Sequence, residues 1–322
     1  MTLGRAALVE AARVSIDKGS KSFALASKLF DSETRERAWL LYAWCRRCDD
    51  IADGQEHGGA LSNVGDPAAR LAHIRSLTQQ AYDELPTGDP AFDAFGLVAR
   101  ECSIPFHDAA DLIEGFALDS EGWRPQTADD LLRYCYHVAG VVGKMMALVM
   151  GVDPQDEATL GQANDLGLAF QLANIARDVR EDAEAGRCYL PQDWLEELGV
   201  APFPSCPEPV EGLPIANADP NRSSAPQHRL AGRQDEWFVG AALAPLACRL
   251  AKLAAGYEAS ARIGARKLPF RSRWAVLAAA GIYGDIAREV ARRGAHAWDA
   301  RVVTSKAAKL GWVVRAFMQA LG

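Results

Sequence analysis

Two short segments place carboxylates where they could act together. In YAWCRRCDDIAD (42–53), Tyr42, Arg46, Asp49 and Asp53 recur at i, i+4, i+7 and i+11. On a helix these positions form one stripe. Asp49 and Asp53 are then one turn apart, roughly 5–6 Å between Cβ atoms, and repel each other unless something positive lies between them. In QLANIARDVRED (171–182), Gln171, Asn174, Asp178 and Asp182 repeat the pattern, again closing on Asp-x-x-x-Asp. Leu172, Ala173, Ile175 and Ala176 make this second helix apolar on both flanks of its polar stripe.

Carboxylates on a helix that must be buried need partners. Hard divalent cations need oxygen ligands, and Mg²⁺ typically takes one or two carboxylates and completes its shell with water and phosphate. Spacing alone leaves two readings. The stripes face one another across a cavity as a Mg²⁺–diphosphate clamp, or they belong to a structural salt-bridge network. The first stripe taken alone also reads as a solvated acidic face beside Arg46 and Arg47.

The elements that would carry these stripes are helical. Segments 34–53, 129–150, 160–184, 241–267 and 274–294 each run about twenty residues with helical spacing, and no alternating strand pattern stands out. The expected fold class is all-α. GQEHGGALSNVGDP (54–67) reads as a polar loop and LPTGDP (85–90) as a turn. Seven of the sixteen prolines fall within 202–226, a density that forbids a helix. The segment 202–228 is therefore expected to be a mobile insertion, with a domain linker as the alternative.

Composition excludes several classes. The 322 residues are 49% hydrophobic and 24% charged, enough to bury a sizeable core. The net charge of −7 argues against a general nucleic-acid binder. The most apolar stretch, Tyr134 to Val152, is broken by Lys144, so no transmembrane helix is expected. The first residues lack a signal-peptide pattern. The seven scattered cysteines read as reduced thiols of a cytosolic protein. Cys45 and Cys48 form a lone CxxC with no second pair, which argues against zinc. His137 reads as a satisfied core histidine. No G-x-G-x-x-G follows a strand, so no nicotinamide site is expected.

Several motifs in order resemble the squalene/phytoene synthase family: GSKSF (19–23), YAWCRRCDDIAD (42–53), EGFALD (114–119), YCYHVAGVVGKMM (134–146), LGLAFQLANIARDVREDAEAGRCYLP (166–191) and AWDARVVTSKAAK (297–309). The Pro-rich stretch departs from the family pattern. The resemblance implies one domain over 1–322, an isoprenoid-synthase-type helical bundle around a central cavity. It implies head-to-head joining of two geranylgeranyl diphosphates through a cyclopropyl diphosphate, in carotenoid biosynthesis. Asp49, Asp53, Asp178 and Asp182 would be catalytic and, with Asn174, would hold Mg²⁺, with Mn²⁺ as the alternative metal and no NADPH. Ser20, Lys21, Ser22, Tyr42, Arg46, Gln171, Arg177, Tyr189, Tyr283 and Arg301 would line the substrate site. Tyr189 also reads as a packing tyrosine.

A carbocation needs aromatic faces and shelter from water. Phe23, Trp39, Tyr42, Tyr134 and Phe170 are candidates, each equally readable as core. Gly140 and Gly143 either leave room for a polyprenyl chain or allow close helix packing. Small residues near Ser27 would deepen a pocket for C20 chains. The alternatives are a sibling enzyme that joins two farnesyl diphosphates, or a non-catalytic helical assembly protein. The expected setting is cytoplasmic, with peripheral contact at the inner face of the membrane and with other carotenoid-pathway enzymes.

Overall fold

The computed structural model describes residues 3–54, 66–200 and 240–322. The Pro-rich 202–228 stretch and most of the 54–67 loop lie outside the described residues, as do the side chains of Lys21 and Ser22. Among the described residues the regular structure is entirely helical, which agrees with the expected class.

The chain opens with α1 (Arg5–Gly19), the short α2 (Lys21–Ala26) and α3 (Ser32–Asp53). Asp31 caps α3 by accepting from the Thr34 amide at 2.9 Å. Gly54, in the left-handed conformation at φ 66°, ends the helix directly after Asp53. Three shorter helices follow: α4 (Pro67–Tyr82), α5 (Pro90–Glu101) and α6 (Phe106–Ser120). These pack with α1 and α3 around one apolar core that contains Trp44, Phe92 and Phe95.

A second core is built from α7 (Ala128–Cys135), α9 (Glu157–Glu184), α10 (Gln192–Glu197), α11 (Gly240–Gly264) and α12 (Phe270–Arg293). The first core also takes in α8 (Val141–Val149), joined to α7 by one π-helical turn at Tyr136–Gly140. The last helix, α13 (Lys306–Leu321), lies along α12.

The predicted segment 129–150 is thus two helices around a π turn. Gly140 and Gly143 serve close packing, not an opening. A side chain on Gly140 would run into Asn164 and Leu168 of α9, and one on Gly143 into the Ala163 carbonyl. Lys144, which interrupts the apolar run, forms an ion pair at 2.5 Å with Asp108, a residue 1% exposed at the start of α6. Among the described residues no helix is long and apolar enough to cross a membrane.

Candidate functional site

α3 and α9 are not packed against one another; each is seated in its own core. On α9, Leu172, Ala173, Ile175 and Ala176 are buried on both flanks, while Gln171, Asn174, Asp178 and Asp182 are half-buried. On α3, Tyr42, Arg46 and Asp49 are half-buried and Asp53 is exposed. Both polar stripes are thus left only partly covered within packed helices.

Asp119 is a half-buried acid that draws two tyrosines together. It sits in the last turn of α6 and is held by two phenols. Tyr134 Oη of α7 donates at 3.0 and 3.1 Å, and Tyr189 Oη donates at 2.9 Å. Burial pushes the Asp119 carboxyl up, against the pull of those two hydrogen bonds. Its charge is felt on both sides. Asp49 is pushed up to about 6 by burial, then by Asp53, with Asp119 contributing. Asp182 is pushed up to about 7 by burial, then by Asp178, with Asp119 again contributing.

The chain after α9 explains how Tyr189 arrives there. Gly186 adopts φ 75°, and the Arg187 amide donates back to the Asp182 carbonyl at 2.8 Å. This six-to-one bond reverses the chain. It returns Arg187 toward Asp182, Asp119 and Asp53. Burial works against the Arg187 cation, but the nearby Tyr189, Asp119 and Asp53 outweigh it and its pKa is raised. Tyr189 then stacks on Tyr134 at 4.8 Å, and Tyr134 on Trp123 at 5.7 Å, giving a three-ring wall.

Cations flank each stripe. Arg46 lies between Asp49 (3.0 Å) and the buried Asp50 (2.7 Å). Arg177 pairs with its neighbour Asp178, Nε to Oδ1 at 2.7 Å. Arg301 reaches Asp178 at 3.0 Å from the AWDAR segment. That segment is pinned by Trp298, whose indole donates to the Ala176 carbonyl at 3.0 Å while Ala297 and Val302 are buried. Tyr283 of α12 stacks on Phe170 of α9 at 4.1 Å. At the other end, Tyr42 packs on Phe23 at 5.6 Å, and its hydroxyl lies over Gly19, where any side chain would displace it.

Some expected residues have plainer roles. Ser20 caps α2, accepting from the Phe23 amide at 3.3 Å. Ser27 is buried and accepts from the Trp39 indole at 2.9 Å. His137 Nδ1 lies 2.9 Å from the Asp111 carbonyl, a satisfied core histidine. Burial pushes the Cys45 thiol up to about 12, which disfavours the thiolate. Asp119 and Arg187 were not singled out from sequence, although EGFALD and GRCYLP contain them.

The candidate metal ligands are carboxylates and one amide, all hard oxygen ligands. Asp53, Asn174 and Asp182 have no hydrogen-bond or ion-pair partner for their side chains among the described residues. Among the same residues no three His, Cys, Asp or Glu groups already converge on one point. Carboxylate and amide oxygens are the donor type that Mg²⁺ takes, with positions left for water and phosphate.

The squalene/phytoene synthase family model matches residues 16–210 and 218–308. The chain is 46% identical to a 15-cis-phytoene synthase of Enterobacter agglomerans, over 95% of this chain and 94% of that one. It is 43% identical to a phytoene synthase of Pseudescherichia vulneris, over 96% and 91%. In fold it is similar to a ligand-bound dehydrosqualene synthase, with TM-score 0.75 and 24% identity over 98% and 97% of the two chains. It is similar also to squalene synthase HpnC of Alicyclobacillus acidocaldarius, with TM-score 0.71 and 21% identity over 90% and 95%. The paired aspartate helices, the all-helical frame and the near full-length match agree: this chain belongs to the squalene/phytoene synthase family.

Proposed function

We propose that this chain is a phytoene synthase, a prenyltransferase that joins two geranylgeranyl diphosphates head to head and releases two diphosphates. The observation that carries the reading is the pair of Asp-x-x-x-Asp stripes on α3 and α9, flanked by the guanidiniums of Arg46, Arg177 and Arg301. The match to phytoene synthases along nearly the whole chain supports the same product.

Diphosphate leaves only when its charge is offset. Asp49, Asp53, Asn174, Asp178 and Asp182 would hold Mg²⁺, which supplies Lewis-acid neutralisation of the leaving group. The chain's own cations do the remaining electrostatic work. Arg46, Arg177, Arg187 and Arg301 offer guanidinium N–H groups to phosphate oxygens, and a fixed donor stabilises charge as it develops. Asp178, held by Arg177 and Arg301, keeps those two guanidiniums oriented.

The prenyl tails would lie against the aromatic faces beside the two stripes. Phe170 with Tyr283, and Trp123 with Tyr134 and Tyr189, present ring faces that exclude water and favour a nearby carbocation. Asp119 accepts from both phenols of the second wall and holds their rings in place. The last cation is quenched by proton loss, which leaves a central double bond, and NADPH is not consumed.

The tail and the hydrocarbon product do not belong in water, so the protein makes peripheral contact with a membrane. The reading is tested by counting diphosphate. Two diphosphates released per pair of geranylgeranyl diphosphates consumed support it. Release of one, with a diphosphate-bearing product left behind, contradicts it.

A further inference from the structure

α13 has two unlike faces. Its inner face is seated on α12: Ala316 and Ala320 are buried, Trp312 covers Gly281, and the Trp274 indole donates to the Val313 carbonyl at 2.7 Å. Its outer face is apolar and uncovered. Leu310 is 65% exposed, Val314 59%, Met318 64% and Leu321 61%. These recur at i, i+4, i+8 and i+11, which is one stripe. Phe317 extends it onto the start of α12, meeting the half-exposed Phe270 edge-on at 5.6 Å.

The charge around this stripe is one-sided. Segment 259–284 carries five basic residues and no acid, and segment 302–322 carries three and no acid, in a chain of net charge −7. Arg266, Arg271, Lys306 and Arg315 are exposed. Arg271 is tied to the Leu29 and Lys28 carbonyls, so no carboxylate neutralises it there. Arg315 lies over the Trp312 ring at 5.0 Å. The nearby acids are engaged: Glu258 by Arg262 and Arg288, Asp285 by Arg288 and the Trp312 indole. Lys267 faces Asp156.

An apolar helical stripe bordered by unneutralised cations is the pattern of a helix that lies in a lipid headgroup layer. Anionic headgroups attract such cations strongly near the surface. A second copy of this chain is disfavoured as the occupant, because a two-fold contact would set the same cations against each other.

We propose that the outer face of α13, with the adjoining α11–α12 turn, is the surface by which this protein docks on an anionic membrane. This names the surface for the membrane contact proposed above and rests on that contact. It is independent of the assignment of substrate.

The test is vesicle co-sedimentation of the full chain without substrate. Vesicles are of phosphatidylcholine alone, or of phosphatidylcholine and phosphatidylglycerol in equal parts. The variants are Val314→Ser with Met318→Ser and Leu321→Ser, and Lys306→Gln with Arg315→Gln. All five positions are exposed, and circular dichroism checks that the fold is kept. The unaltered chain should bind the anionic vesicles at least about tenfold more tightly than the neutral ones, and less so as salt rises. Each variant should lose at least about tenfold of that binding. Variants that bind like the unaltered chain would overturn the choice of surface and leave the membrane contact standing. No binding of the unaltered chain to either vesicle would overturn the membrane contact itself. Dimers that the triple variant abolishes, with no vesicle binding, would assign the face to a second copy.

Discussion

Tyr189 donates a hydrogen bond to Asp119 at 2.9 Å across a separation of 70 residues. The bond ties the loop after α9 to the end of α6, where Asp119 also accepts from Tyr134. Removing only the phenol oxygen, as in Tyr189→Phe, leaves the ring stack with Tyr134 in place. Hydrogen bonds to charged groups contribute about 1.5–3 kcal/mol. Urea unfolding of Tyr189→Phe should show a loss in that range, together with slower turnover. An unchanged midpoint and rate would mean the bond does not organise the site.

Asp49→Asn and Asp178→Asn should each lower turnover by about a hundred- to a thousandfold, the scale of losing a main electrostatic contact to the transition state. Both carboxylates are half-buried and neither substitution opens a cavity. Circular dichroism should therefore match the unaltered chain. Near-normal activity in either variant would remove that residue from the clamp.

Mg²⁺ and inorganic diphosphate added together should raise the melting temperature, and EDTA should reverse the gain. A ligand at a hundred times its Kd stabilises the folded state by about 2.7 kcal/mol. Either component alone should do much less, because the carboxylates repel bare diphosphate. Equal stabilisation by diphosphate without metal would contradict the metal assignment.

Two glycines of α9 should respond in opposite directions to alanine. At Gly167 a Cβ would press on the Ala139 carbonyl and on Gly140, backbone that cannot move aside. Gly167→Ala should cost about 1–3 kcal/mol through overpacking. Gly161 is exposed in the same helix with nothing near its missing Cβ. Gly161→Ala should stabilise by about 0.5–1 kcal/mol. Thermal melts of the two variants decide whether α8 and α9 approach as closely as described.

The five long segments read from helical spacing all reappear as helices, because long amphipathic runs carry a strong periodic signal. The aspartate stripes were legible for the same reason: polar residues at helical spacing stand out against Leu172, Ala173, Ile175 and Ala176. Asp119 was not. On α6 it is one acid among several, beside Asp111 and Glu114, and only Tyr134 and Tyr189 arriving from elsewhere single it out. Arg187 was hidden likewise, since the chain reversal at Gly186 gives it a place near Asp119. The π turn at Tyr136–Gly140 has no sequence period of its own. It follows from fitting α7 and α8 against α9 at Gly140, Gly143 and Gly167.

Product chromatography after incubation with geranylgeranyl diphosphate and Mg²⁺, without NADPH, tests the proposed activity as a whole. The expected product is phytoene, with both diphosphates released. Accumulation of the cyclopropyl diphosphate would contradict quenching by proton loss, and a clear preference for farnesyl diphosphate, yielding a C30 hydrocarbon, would contradict the assigned substrate.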